Sequence, residues 1–197
     1  MKKGFFVSCI LLLIVLSGCN HKDSLATISR ASDSEHANTF KELNIGELFE
    51  FDLTLNHADK TWVTIWIEKY ENGKKDTQPL LELSYGRGPG KVQEGDIGFG
   101  IIHTDDAPLG FLYAPNVNIT PQEIENIRSV GVFTGWDYAI EEEKIALKEG
   151  KTQLLGAYRV SKGNSIRTYD LHEEHEVKKM IHDDKKVFLL KIKVDEL

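Results

Sequence analysis

Cysteine is almost missing from this chain: it has two, Cys9 and Cys19, both within the first nineteen residues. Everything downstream is therefore without a thiol. That excludes a disulfide framework, a thiolate metal centre and a cysteine nucleophile in the body of the protein. Methionine is equally scarce, two including the initiator, so there is little soft-ligand chemistry for Cu(I). Positive charge is in deficit, with 24 Lys+Arg against 31 Asp+Glu and a net charge of −7. Nucleic acid needs a basic face, so the balance argues against it as a partner. No serine stands in G-x-S-x-G and no S-x-x-K occurs. Gly150-Lys151-Thr152 has the look of a phosphate-loop ending, but the position that the motif requires to be glycine, five before Gly150, is Ile145. Neither a nucleotide nor any other cofactor is expected. No repeat of fixed period is visible.

What is present starts at the amino end. Lys2 and Lys3 precede an apolar run from Phe5 to Leu16, broken only by Ser8, and Leu16-Ser17-Gly18-Cys19 closes it. A basic start, a short apolar segment and small residues at its end describe a secretory signal peptide. The run is about a dozen residues where a spanning helix takes roughly twenty. The ending Leu-Ser-Gly-Cys resembles the lipobox of bacterial lipoproteins. That resemblance covers residues 1–19 only. It implies cleavage before Cys19, fatty acylation of its sulfur, and attachment to the outer side of the cytoplasmic membrane. Two acyl chains suffice for stable anchoring, at roughly 0.8 kcal/mol per buried methylene. Loss of Lys2 and Lys3 with residues 1–18 would take the net charge from −7 to −9. Membrane contact is then expected through the lipid, not through the domain.

Residues 19–39 are polar, with Leu25 and Ile28 the large aliphatics, and read as a flexible tether of about 25 Å. A single domain is expected over 40–197. Phe49 to Leu55 alternates apolar and polar as a half-buried strand does, and Thr61 to Tyr70 reads as a second strand. Asn72-Gly73 is a strong hairpin signal. Further strands are expected around 81–85, 97–103, 111–113, 132–140, 153–160, 165–169 and 187–194; residues 141–149 favour helix by composition but, with Ile145 and Leu147 ahead of Gly150, also fit a strand, the reading taken. Thr120-Pro121-Gln122-Glu123 predicts the start of a helix ending near Gly131, and Asp170 with Glu173 predicts a second helix through His182. Many short strands without strand–helix alternation point to an antiparallel β-sandwich or barrel-like domain with one or two short helices.

Three groups of residues carry candidate chemistry. Trp62, Trp66 and Tyr70 have equal parity on a strand and so share one face, an arrangement able to stack on sugar rings or to fill a core. His172 and His175 stand at i and i+3, one short of the zincin spacing, and need a third ligand to hold zinc or copper. His103 with Asp105 and Asp106 lies at a strand end and supplies the residues for an envelope hydrolase. With no complete catalytic motif, the reading favoured is a lipid-anchored, non-enzymatic binding or interaction module. Its partner would be an envelope protein, a peptide or a glycan. The alternatives are a hydrolase using His103, Asp105 and Asp106, and a metal-handling lipoprotein using His172 and His175. The anchor is open to a simple check: Cys19→Ala should leave the precursor uncleaved or release the protein from the membrane fraction, and normal membrane retention would contradict it.

Overall fold

Strands whose side chains alternate between oily and polar must hide one face, and two such sheets hide each other. The computed structural model describes residues 24–124 and 133–197, and in it this constraint is met by two antiparallel sheets packed face to face. In chain order the elements are β1 (Ala26–Arg30), α1 (Glu35–Glu42), β2 (Gly46–Leu55), β3 (Thr61–Glu71), β4 (Lys74–Lys75), β5 (Leu81–Gly86), β6 (Gln93–Ile102) and β7 (Leu109–Ala114). There follow β8 (Val117–Asn118), β9 (Gln122–Glu123), β10 (Thr134–Tyr138), β11 (Ile145–Leu147), β12 (Thr152–Val160), α2 (Glu174–Asp183) and β13 (Lys186–Glu196).

The first sheet runs β11-β1-β2-β6-β7-β8, with β9 also on β7; the second runs β10-β12-β13-β3-β4, with β5 also on β3. Both sheets are open, so the domain is a sandwich and not a closed barrel. Phe49, Phe51, Leu53 and Leu55 of β2 face Val63, Ile65 and Ile67 of β3 and Phe188, Leu190, Ile192 and Val194 of β13 across one core, all of them buried. A fully buried Phe, Ile, Leu or Val contributes roughly 1.5–3 kcal/mol relative to exposure, which lets a thiol-free body hold together by packing. At the β3–β4 hairpin Asn72 (φ 50°) and Gly73 (φ 82°) both take left-handed backbone, as a two-residue turn of that hand requires.

A second, smaller apolar cluster lies on the outer face of the second sheet. There Met180, Val177 and Ile181 of α2 cover Ala157, Val187 and Leu189. Arg159 of β12 is buried beside this cluster, held by Asp137 at 2.8 Å and Asp184 at 3.2 Å. Among the described residues no helix is long and apolar enough to cross a membrane.

Four expectations are corrected. Residues 26–39 are no tether: Ala26 to Arg30 is a strand inside the first sheet, paired with β2 on one side and β11 on the other, and Glu35 to Glu42 is helical. The strand is short and mostly polar, but pairing along both edges and the complete burial of Ala26 and Ile28 stabilise it. Gln122–Glu123 opens no helix; it adds to the edge of β7, and Ile124 N–H donates to the Pro108 carbonyl. The remainder of that predicted helix, 125–131, lies outside the described residues, as do Cys19 and the leader. Ser165 to Tyr169 is not a strand, because both edges of β12 are already taken by β10 and β13. Asp170 does not cap α2. Its Oδ1 accepts from His172 N–H, turning the chain there, and Glu173 is the N-cap.

The correction at the amino end has a measurable consequence. A chain starting at Phe40 lacks β1 and exposes the edges of β2 and β11, and it should lose its cooperative thermal transition by circular dichroism. A chain starting at Ser24 should keep it. Equal melting of the two would contradict the placement.

Candidate functional site

β3 presents Trp62, Thr64, Trp66, Glu68 and Tyr70 on the outer face of the second sheet while Val63, Ile65 and Ile67 enter the core. The three aromatics predicted to share a face do so, in unequal surroundings. Trp62 is 37% exposed. Trp66 is half-buried, and its indole N–H donates to Glu68 Oε1 at 3.3 Å. Tyr70 packs into the cluster under α2 and donates its hydroxyl to Glu68 Oε2 at 2.8 Å. Helix α2 therefore covers the Tyr70 end and leaves the Trp62–Trp66 end open. Around it stand Ser84 on β5, whose hydroxyl is 3.1 Å from that of Thr64, and Lys191 and Lys193 on β13, opposite Trp66 and Thr64.

Glu68 is the electrostatic centre of this face. Burial would raise the pKa of its carboxyl, but hydrogen bonds from Lys191, Lys75 and Tyr70 outweigh burial and bring it down to about 2 from 4.5. Lys75 Nζ lies at 2.7 Å and Lys191 Nζ at 2.8 Å.

A depression of about 400 Å³ adjoins this face between α2 and the sheet, lined by Gln153, Leu154, His172, Glu174, Val177 and Lys191 among others. The structure thus brings His172 and Trp66 to the same side of the molecule, on either side of Lys191. It does not place His172 and His175 on one helix face. His172 sits in the turn before α2, not on its face. His175 is exposed on the helix with Glu173 and Glu176 each at 3.6 Å. The residues considered for hydrolysis lie at the end of β6 and in the turn after it. The His103 imidazole pairs with Glu47 on the neighbouring strand, while Asp105 and Asp106 are exposed in the following turn.

The cluster that sequence reasoning missed lies on the opposite face of the sandwich. Glu50 points to the outer side of the first sheet yet has no exposed surface. Its cross-strand partner on β6 is Gly98, and beyond Gly98 stands Tyr113 on β7. A Cβ on Gly98 would lie 2.4 Å from the Tyr113 ring. The missing side chain is what lets the phenol cross the strand and donate to Glu50 Oε1. From above, α1 brings His36, whose Nδ1 is 2.9 Å from the same Oε1. The helix is set by Ser34, whose Oγ accepts from Ala37 N–H at 3.0 Å. Glu50 Oε2 is buried without a hydrogen-bond partner, a cost on the order of 1–3 kcal/mol or more for a charged oxygen. One register step along, Asp52 faces Asp96 across the same strands; burial and then the neighbouring Asp96 carboxylate hold the Asp52 pKa above its ordinary value. The hydrogen bond to Glu50 raises the pKa of His36.

The signals for this cluster were a Ser34 cap ahead of a helix-forming run, and glycines on β6 opposite Phe111 and Tyr113 on β7. Neither draws attention while residues 20–39 are taken as unstructured. Comparison with family models, curated proteins and solved structures finds no match to the chain.

The charge network on β3 predicts a pH signature. A depressed carboxylate stabilises the fold fully above its unfolded pKa of 4.5, and that contribution is lost as pH falls toward about 2. Glu68→Gln should therefore lower unfolding free energy at pH 7 by about 1–3 kcal/mol, with the gap to the parent closing between pH 4.5 and 2. A gap in denaturant melts that is constant with pH would contradict the assignment.

Proposed function

We propose that the protein is a lipid-anchored envelope protein whose sandwich is a non-enzymatic binding module, with an envelope glycan as its ligand. The observation that carries this reading is the open half of the outer face of the second sheet. There Trp62 and Trp66 stand among hydroxyl and ammonium groups, and the face continues into the depression beside α2. An indole face provides an apolar platform for the C–H side of a sugar ring, and Thr64, Ser84, Lys191 and Lys193 supply hydrogen-bonding groups around it. The acidic net charge fits a partner held by stacking and hydrogen bonds and not by wide electrostatic adhesion. Acylation of Cys19 would hold the module at the membrane, facing the space where wall polymers lie.

The pairing of His103 with Glu47, and the exposure of Asp105 and Asp106 in the turn beyond it, support binding over hydrolysis. A hydrolase needs acid, base and reacting bond within hydrogen-bond reach of one another, and here the imidazole is engaged by Glu47. Incubated with soluble wall oligosaccharide, the full chain in detergent should show a saturable change in tryptophan emission and release no cleaved product. Trp62→Ala should weaken binding at least tenfold while leaving the melting temperature within a few degrees. Emission that does not respond to the oligosaccharide, or affinity unchanged in Trp62→Ala, would contradict the proposal.

A further inference from the structure

Independently of the aromatic face, we propose that His36, Glu50 and Asp96 form a binding site for a divalent transition cation of the zinc class. One donor atom from each lies within 4.8 Å of the other two, the one such group of three among the described residues. A cation about 2.0–2.2 Å from each ligand atom fits after small rotations of His36 and Asp96, whose side chains are exposed.

The acidic cluster alone would not be a site. What makes it one is Glu50: a carboxylate with no exposed surface, one of whose oxygens has no hydrogen-bond partner among the described residues. Natural structures rarely leave such an oxygen unsatisfied. Its other oxygen is held by Tyr113 and approached by His36, the kind of supporting hydrogen bond that fixes the orientation of a ligating carboxylate. Among the described residues no lysine or arginine pairs with Glu50, in contrast to Glu68 on the other sheet.

The surroundings favour a cation. The adjoining depression, about 520 Å³, is lined by five carboxylates (Asp33, Glu35, Asp52, Asp96 and Glu142) against the single guanidinium of Arg30. That guanidinium is turned over the Tyr138 ring at 4.2 Å. Clefts of one charge sign concentrate ions of the other.

The donor set chooses among cations. Calcium takes six to eight oxygens, and magnesium keeps most of its water. One imidazole nitrogen with two carboxylates suits zinc and its neighbours, with water completing the shell. Asp52, beside Asp96, would orient that ligand from behind. The inference does not depend on the Trp62–Trp66 face, which lies on the other sheet.

The test is calorimetry on the full chain in detergent, stripped of metal with a chelator and titrated with zinc chloride and, separately, calcium chloride. The expected result is one zinc per chain in the micromolar range or tighter, with calcium at least a hundredfold weaker. His36→Gln and Asp96→Asn, both at exposed positions, should each raise the zinc Kd at least tenfold without changing the metal-free melting temperature. His175→Ala should leave the Kd unchanged. Zinc should also raise the melting temperature of the parent more than that of Asp96→Asn at the same zinc concentration. Absence of saturable zinc heat, an unaltered Kd in both His36→Gln and Asp96→Asn, or calcium bound as tightly as zinc would each overturn the proposal. Should Glu50→Gln fail to fold, the two surface variants still decide the matter.

Discussion

The pairing of β1 along both of its edges is the constraint on which the rest of the first sheet depends. Without it β2 and β11 would each present an unpaired edge, and β11, three residues long, would have no neighbour to hold it. With it, the chain leaves β1 at Arg30 above the outer face of the sheet, and the short link to Ser34 sets α1 down over β2. Helix α1 has no buried residue, so its own packing contributes little; it is positioned by the strand before it and by its cap. What it covers is a carboxylate. Local sequence, strand pairing and site chemistry are joined at this one junction.

Two glutamates show how differently a sandwich can treat the same residue. Both Glu50 and Glu68 occupy outward positions of long strands, and both are withdrawn from solvent. Glu68 lies among two ammonium groups, a phenol and an indole N–H, so its charge is compensated and helps tie β3 to β4 and β13. Glu50 has a phenol and an imidazole on one oxygen and, among the described residues, no hydrogen-bond partner on the other. A buried charge without a permanent cation is costly. That asymmetry separates a structural ion cluster from a place for an exchangeable one. The two faces also divide the proposed work: aromatic stacking on the second sheet, cation binding on the first.

Much of the architecture was legible in the sequence because period-two alternation is a strong signal wherever one face is buried. It marked β2 and β5 close to their observed extents, the density of Trp, Val, Ile and Thr marked β3, and Asn72-Gly73 marked its hairpin. The same reasoning placed Trp62, Trp66 and Tyr70 on one face, since parity alone decides that. What it missed has physical causes. β1 is five residues with only two clearly apolar inward positions, and its stability comes from neighbours far away in the chain. The pattern Thr-Pro-Gln-Glu is a sound helix start locally, yet the open edge of β7 offers Gln122 and Glu123 ladder hydrogen bonds. The His36–Glu50–Asp96 cluster joins a helix to two strands distant in sequence. Only register, and the absence of a side chain at Gly98, puts these groups together. His172 and His175 illustrate the converse: an i, i+3 spacing means a shared face only if both residues are helical, and Asp170 ends that possibility by turning the chain at His172.

The first sheet holds together only if the segment before α1 belongs to the folded body. Native-state hydrogen exchange on the full chain, followed residue by residue, measures this directly. The amides of Thr27 to Ala31 should be protected to the same degree as those of β2 and β13, opening only with global unfolding. Exchange of those amides within seconds, at the rate of an unstructured peptide, would contradict the account.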